Sequence, residues 1–162
     1  MPDLHSTTLY ISLFISLFFE VFLLITYLEV RGEIKAEDKR LAEGPSHYPT
    51  VTIIIPAWNE GETLVATIES LLSLHYPQDK HSFILVDDGS TDNTWEVMTR
   101  YQHNPRFSVY QKENGGKHTA VNLGLEKTTS DLVGCLDADS FVNPDALKKI
   151  VPYFDDASVM AV

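Results

Sequence analysis

The residues with the clearest chemical potential are two carboxylates, Asp137 and Asp139, which directly follow the apolar run 132–136. Two carboxylates just past a strand can supply oxygen ligands to a hard divalent cation, and a diphosphate can supply further ligands. The same side chains could instead only cap the helix that follows. The other polar segments of the chain favour the cation site.

A second acidic pair, Asp87 and Asp88, follows the apolar run 83–86 and precedes Gly89 and Ser90. Asp88 could accept a hydrogen bond from the imide N–H of a pyrimidine, and Asp87 could orient the loop. Because Asp-Gly-Ser is also ordinary turn chemistry, a turn with a helix cap and no ligand is the alternative.

Two more segments carry residues that suit a nucleotide. Trp58 offers a flat face for stacking on a base, or it belongs to the core, and Glu60 could simply cap the next helix. Gly115 and Gly116 allow close backbone approach at a helix N-terminus, which attracts phosphate, and Lys117 adds a positive charge. A flexible turn is the alternative reading of the two glycines.

These segments must be positioned by an α/β domain, because strand and helix signals alternate from residue 50 onward. Such alternation predicts a mostly parallel sheet with helices on both faces, and ligands bind at the carboxyl ends of its strands. Cys135, the only cysteine, is expected to be a buried core residue of the fourth strand. Strands are predicted at 51–55, 83–86, 107–110 and 132–136, and a fifth is predicted to start within 158–162.

The N-terminal segment predicts one transmembrane helix, since residues 7–28 carry a single charged side chain, Glu20. A helix of this length spans roughly 33 Å, enough for a bilayer core of about 30 Å. A signal peptide fits poorly because no Lys or Arg precedes the apolar run and no small-residue cleavage site follows it. Basic residues follow the segment, which places the next domain in the cytoplasm: Arg31, Lys35, Lys39 and Arg40.

Three parts are therefore expected: a transmembrane helix at 1–30, a charged juxtamembrane linker at 31–49, and an α/β domain with a nucleotide-diphosphate site at 50–162. The net charge of −11 argues against a nucleic-acid partner. It also means that an anionic diphosphate would enter an acidic domain, which makes a bridging cation more necessary. The six histidines show no metal-ligand spacing.

Four motifs in order resemble the family 2 glycosyltransferases, which have a GT-A fold and use nucleotide-activated sugars with a divalent metal. The resemblance covers about residues 50–162. The matching motifs are Val51-Thr52-Ile53-Ile54-Ile55-Pro56-Ala57-Trp58-Asn59-Glu60, Val86-Asp87-Asp88-Gly89-Ser90-Thr91-Asp92, Gly115-Gly116-Lys117 with Ala120 and Asn122, and Asp137-Ala138-Asp139. Trp58 stands where Tyr or Phe is more usual.

The resemblance implies a role for each motif. Asp88 would contact uracil, Trp58 would stack on the base, and Lys117 would lie near the diphosphate. Asp139 would be the main ligand of Mn²⁺ or Mg²⁺, with Asp137 close to both ribose and metal. The nucleotide-sugar site as a whole would comprise Pro56, Trp58, Glu60, Asp87, Asp88, Lys117 and Asp137.

The N-terminal helix and the Asn-Gly-Gly-Lys form resemble the membrane-embedded synthases of β-linked polysaccharides most. The resemblance implies an inverting transfer from a UDP-sugar, such as UDP-N-acetylglucosamine, to a growing glycan. No acceptor-side motif is present, so the general base is expected beyond Val162 and the chain is expected to be the N-terminal part of a truncated GT-A domain. The alternatives are a membrane-anchored sugar-nucleotide-binding module without catalysis and, less favoured, a nucleotidyltransferase.

Overall fold

A computed structural model describes residues 4–156 and 158–162, and within the first helix it describes the side chains of 7–35 and 39. The chain divides into two compact units, Met1–Glu43 and Gly44–Val162. The described part of the first unit is a single helix, and the second is an α/β domain.

Helix α1 spans Leu4–Glu43. Its segment Thr7–Lys35 is long and apolar enough to cross a membrane. Two hydroxyl groups in this segment bond within the helix: Ser12 Oγ donates to the carbonyl of Leu9 at 3.0 Å and Thr26 Oγ1 donates to that of Phe22 at 3.0 Å. Such internal bonding suits an apolar surrounding, where an unpaired hydroxyl would be costly. The helix continues through the charged residues after 30, so much of the predicted linker is helical.

The second unit is built on four parallel strands in the order β3-β2-β1-β4. The strands are β1 Val51–Ala57, β2 His81–Asp87, β3 Phe107–Gln111 and β4 Leu132–Cys135. The helices are α2 Leu64–Leu72, α3 Thr94–Thr99, α4 Lys117–Lys127 and α5 Ala146–Ile150, with short 3-10 turns at Gln78–Lys80 and Val151–Asp155. β1 is buried throughout, as its β-branched run predicts.

Helices cover both faces of the sheet. On one face, α2, α3 and α5 pack through Leu64, Ile68, Met98 and Leu147 onto a core that includes Phe83. On the other face, Ala120 of α4 packs on the alternate side chains of β1 and β2, Ile54, Ile84 and Val86. A Cβ at Gly124 would lie 2.5 Å from Cγ2 of Ile54, so this glycine lets α4 approach β1 closely.

Two sequence expectations are wrong. Cys135 is exposed, because β4 is an edge strand and α4 covers its neighbour Ile54 but leaves the thiol-bearing side of β4 open. The described residues 158–162 form no fifth strand, and Met160 is 91% exposed. A strand needs a neighbour to pair with, and apolar composition alone does not provide one.

Candidate functional site

A cavity of about 300 Å³ opens where β1 and β2 end. It lies at the carboxyl edge of the parallel strands, as the alternation predicts. Four of the predicted site residues meet there: Pro56, Trp58, Asp88 and Lys117 line it together with Ala57, Asn114 and Gly116. Trp58 is 55% exposed, so its ring is a wall of the cavity and does not belong to the core.

Asp87 lies under this cavity and does not line it. Its side chain is fully buried, with Oδ1 accepting from Ser90 N at 3.1 Å and Oδ2 accepting from Gln111 Nε2 at 2.8 Å. Both oxygens are therefore engaged in joining the end of β2 to its own loop and to β3. This geometry matches the expectation that Asp87 orients the loop.

Asp88 is also buried, but it faces the segment that follows β3. Its Oδ1 accepts from Lys112 Nζ at 2.6 Å and Gly115 N at 3.1 Å, and its Oδ2 accepts from Gly116 N at 2.8 Å. Burial opposes ionisation, but the hydrogen bonds from Lys112 and the two glycines outweigh it and lower the pKa of Asp88. In the structure, the amides of Gly115 and Gly116, where the sequence suggests close approach of a phosphate, both donate to Asp88.

Two glycines allow this meeting of loops. Gly89 has φ +72°, and a Cβ there would lie 2.7 Å from the backbone nitrogen of Asn114. Gly116 has φ +90° immediately before α4. Side chains at these positions would be strained by the backbone conformation, and at Gly89 also by direct overlap.

The loops after β1 and β2 are joined by side chains that the sequence analysis did not single out as connectors. Asn59 has φ +57°. Its Oδ1 accepts a hydrogen bond from Thr91 N at 2.8 Å, and its backbone N–H donates to Ser90 Oγ at 2.9 Å. Asp92 accepts from Gly61 N at 3.1 Å. Asn and Asp are the residues that commonly make such turn contacts, and that is the only sequence signal for them.

Glu60 does not line the cavity, although it was predicted to belong to the site. Its Oε2 accepts from Thr63 Oγ1 at 2.6 Å, and its carbonyl accepts from Leu64 N at 2.9 Å. These bonds close the turn that leads into α2, whose N-cap is Thr63 without a side-chain capping hydrogen bond, so the carboxylate of Glu60 is not a helix cap.

The carboxylates of Asp137 and Asp139 lie on the surface after β4, where both residues are exposed. The intervening Ala138 is buried, and its carbonyl accepts from Thr67 Oγ1 at 2.7 Å, which ties the loop to α2. Lys117 Nζ donates to Asp137 Oδ1. This hydrogen bond raises the pKa of Lys117, and the lysine thereby connects the cavity with the acidic pair.

The part of the chain that the structure describes contains no cluster of three or more His, Cys, Asp or Glu side chains suited to a metal. Mg²⁺ sites that serve phosphates commonly use only one or two carboxylates, with phosphate oxygens and water completing the shell. Two exposed carboxylates, of which Asp137 already binds the ammonium group of Lys117, fit a cation of that kind.

Comparison with known proteins decides the family. The family described as Glycosyl transferase family 2 matches residues 52–162. The chain belongs to this family. The chain is 39% identical over 111 residues, 66% of its length, to a Beta-monoglucosyldiacylglycerol synthase of Synechocystis sp., of which it covers 23%. It is 38% identical over 105 residues, 64% of its length, to the Poly-beta-1,6-N-acetyl-D-glucosamine synthase of Staphylococcus aureus, of which it covers 24%.

Solved structures of similar fold include a mannosyltransferase from Pyrobaculum calidifontis in complex with GDP-Man and Mn²⁺. That structure gives a TM-score of 0.67 at 30% identity, over 72% of this chain and 35% of the other. The S. aureus protein TarS in complex with UDP gives 0.61 at 25% identity, over 66% and 32%. The GT-A fold is thereby confirmed. The chain spans about a quarter of the length of the curated relatives it matches.

Proposed function

We propose that this chain supplies the donor-binding half of an inverting glycosyltransferase that takes a sugar from a UDP-sugar, UDP-N-acetylglucosamine or a close analogue. The observation that carries the proposal is the position of Lys117, which lines the cavity and also binds Asp137. A nucleotide seated in the cavity would extend its diphosphate past this lysine toward the two exposed carboxylates.

In this arrangement each group meets a part of the donor that suits its chemistry. Trp58 and Pro56 form an apolar wall for the base, and ionised Asp88 accepts a hydrogen bond from an N–H on its edge. Asp87 and Glu60 act indirectly, by holding the loops. TarS, a neighbour in fold, has been solved with UDP and with UDP-GlcNAc, which supports a uridine donor here.

Asp139 and Asp137 would hold Mn²⁺ or Mg²⁺ together with the diphosphate. A cation in that place neutralises the charge of the departing nucleotide diphosphate. Lys117 would move from Asp137 to a phosphate oxygen as the donor enters, since an exposed ion pair is held only weakly. The mannosyltransferase solved with Mn²⁺ supports the choice of metal.

The acceptor is a growing polysaccharide, as the name of the N-acetylglucosamine synthase suggests, and the general base lies outside these 162 residues. α1 anchors the protein in the bilayer, with residues 50–162 as the cytoplasmic donor-binding domain and the intervening segment as its linker. Retention in the membrane pellet after alkaline carbonate extraction is the expected result for the anchor, and full recovery in the soluble fraction would contradict it.

Calorimetric titration of UDP into the detergent-solubilised chain, with and without Mn²⁺, tests the site. We expect weak binding that strengthens with metal, and no efficient sugar transfer by this chain alone. An affinity for UDP that is the same with and without Mn²⁺, or no UDP binding at all, would contradict the site assignment. Hydrolysis of a UDP-sugar by a longer form that includes the acceptor side would favour the transferase over a binding module without catalysis.

A further inference from the structure

We propose that Lys112 is a positioning residue for nucleotide selection, which fixes Asp88 as an ionised acceptor with one oxygen facing the base. This inference rests on the proposed function, because it assigns the base edge to the cavity that Asp88 lines. It adds a residue outside every motif that pointed to the family, and Lys112 does not itself line the cavity.

Lys112 is held in place by the backbone. It follows the last residue of β3, and its N–H donates to the carbonyl of Asp87 at 3.0 Å, which continues the β2–β3 pairing by one step. From there the side chain reaches Asp88 and also donates to the carbonyl of Glu113. The side chains of Lys112 and Asp88 are 23% and 4% exposed, so water screens this pair far less than it screens Lys117 and Asp137.

A count of acceptor positions shows what the lysine does. Each carboxylate oxygen can accept two hydrogen bonds. Oδ1 of Asp88 accepts two, from Lys112 Nζ and Gly115 N, whereas Oδ2 accepts one, from Gly116 N. Oδ2 therefore keeps one acceptor position, and Lys112 is the only charged donor among the described partners of the carboxylate.

The surroundings leave this task to Lys112. Lys112 is the ionisable side chain that hydrogen-bonds Asp88 among the described residues. Lys117 lines the same cavity, Asp87 has its oxygens taken by Ser90 and Gln111, and His118 lies beside Gly116. Glu113 is exposed. The end of β1 contributes no charged side chain to the cavity, because its lining residues there are Pro56, Ala57 and Trp58. Without Lys112, only the two glycine amides would oppose the effect of burial, so the pKa of Asp88 would rise and the neutral acid would form at higher pH than in the wild type.

Base selection follows from the charge. An ionised carboxylate accepts from the N3–H of uracil, but it repels the N3 lone pair of cytosine at the same place in the ring. A neutral carboxylic acid can donate to cytosine, so it discriminates less. Lys112 should therefore determine the preference for UDP over CDP, two ligands with identical ribose and diphosphate.

The test is calorimetric titration of UDP and CDP, with Mn²⁺, into the full chain in detergent from pH 5 to pH 8. The variants are Lys112→Met, Lys112→Arg and, as an exposed control on α5, Lys149→Met. Lys112→Met should weaken UDP binding about tenfold, as expected for loss of a charge-assisted hydrogen bond. It should also reduce the ratio of the affinity for UDP to the affinity for CDP. UDP binding, which is lost at acid pH, should be lost at a higher pH in this variant than in the wild type. Lys112→Arg should keep most of the UDP affinity, the preference for UDP over CDP and the pH profile of the wild type. Lys149→Met should match the wild type in all three.

Wild-type preference for UDP together with an unchanged ratio and pH profile in Lys112→Met would overturn the inference and leave the proposed function intact. Equal weakening of both ligands without a pH shift would also overturn it, since that is a purely structural effect. No UDP preference in the wild type would instead refute the base-reading role of Asp88, and the inference with it. Should Lys112→Met fail to fold by thermal melting, Lys112→Gln keeps a neutral donor and is expected to show the same narrowed ratio.

Discussion

The two acidic strand ends of this domain look alike in sequence and differ in structure. Asp87 and Asp88 end a central strand and are buried, with five described hydrogen bonds to their carboxylates between them. Asp137 and Asp139 follow the edge strand β4 and are exposed. The comparison shows that the place of a strand in the sheet decides whether its terminal acids hold the protein together or stay available to a ligand.

In the proposed function, the difference also separates two tasks within one site. The base side, defined as the cavity at the ends of β1 and β2, is built before the nucleotide arrives, because its loops are already joined by Asn59, Asp88 and Asp92. The proposed metal side, defined as Asp137 and Asp139, would be completed only by the ligand, and Asp137 binds Lys117 in the structure. Preorganisation on one side lowers the cost of binding, and openness on the other permits release.

The strongest way to break this comparison is to remove one acid from each side. Asp87→Ala should lower the free energy of unfolding by about 3 kcal/mol, because Ser90 N and Gln111 Nε2 lose their buried acceptor. Asp139→Ala, at an exposed site, should stay within about 0.5 kcal/mol of the wild type. Urea unfolding followed by fluorescence measures both, and equal losses would contradict the comparison.

A second prediction concerns the contact between loops on the base side. Gly89→Ala should cost about 2–3 kcal/mol, because it adds overlap with Asn114 to an unfavourable positive φ. Gly44→Ala is the matched control, since Gly44 has φ +76° with nothing within 4 Å of the added Cβ. The control should cost about 1 kcal/mol, for the conformation alone. If the two variants unfold at the same urea concentration, the loops are not in contact as described.

The opposite end of β2 supplies a pH test of the buried central strands. Burial lowers the pKa of His81, whose Nε2 accepts from Arg106 Nη1 at 2.8 Å, so that its Nδ1 donates to the carbonyl of Pro77 at 2.9 Å. The unfolded chain takes up the proton at higher pH than the folded one. Stability should therefore fall as the pH drops below about 6.5, by up to about 1.4 kcal/mol per unit, until the folded-state pKa is passed.

His81→Gln should flatten this slope, because it removes the titrating ring and keeps an acceptor for Arg106. Unfolding by urea between pH 5 and pH 8 gives the slope for each variant. His103→Gln, at an exposed position, serves as the control and should leave the slope unchanged. A slope in His81→Gln as steep as that of the wild type would assign the pH effect to another group.

The smallest expected effect is on the edge strand. Cys135 should react completely with a thiol reagent in the folded chain, because it is exposed. Partial shielding of the sulfur raises its pKa, so the reaction should accelerate with rising pH up to and beyond about 9. Cys135→Ser should change the free energy of unfolding by less than about 0.5 kcal/mol. Labelling only after addition of urea would show that β4 is covered.

The four strands and the edge at which the site forms could be predicted from sequence, because strand–helix alternation and β-branched runs such as 51–55 reflect local physics. The exposure of Cys135 and the missing fifth strand could not, since both depend on which neighbours cover or pair with a segment. The use of Gly115 and Gly116 by Asp88 was also missed, because the same two glycines suit a phosphate equally well. Lys112 belongs to none of the motifs recognised in the sequence, and its partner Asp88 is evident only from its position after β3 in the structure.

The most direct test of the account is the effect of Mn²⁺ on UDP affinity in the wild type, in Asp139→Ala and in Asp79→Ala. Asp79 is an exposed acid in the turn before β2, at the other end of the strands. Calorimetry should show that metal strengthens UDP binding in the wild type and in Asp79→Ala, and that Asp139→Ala loses this metal effect while keeping its metal-free affinity and its stability. An undiminished metal effect in Asp139→Ala would contradict the assignment of the cation to the acids after β4.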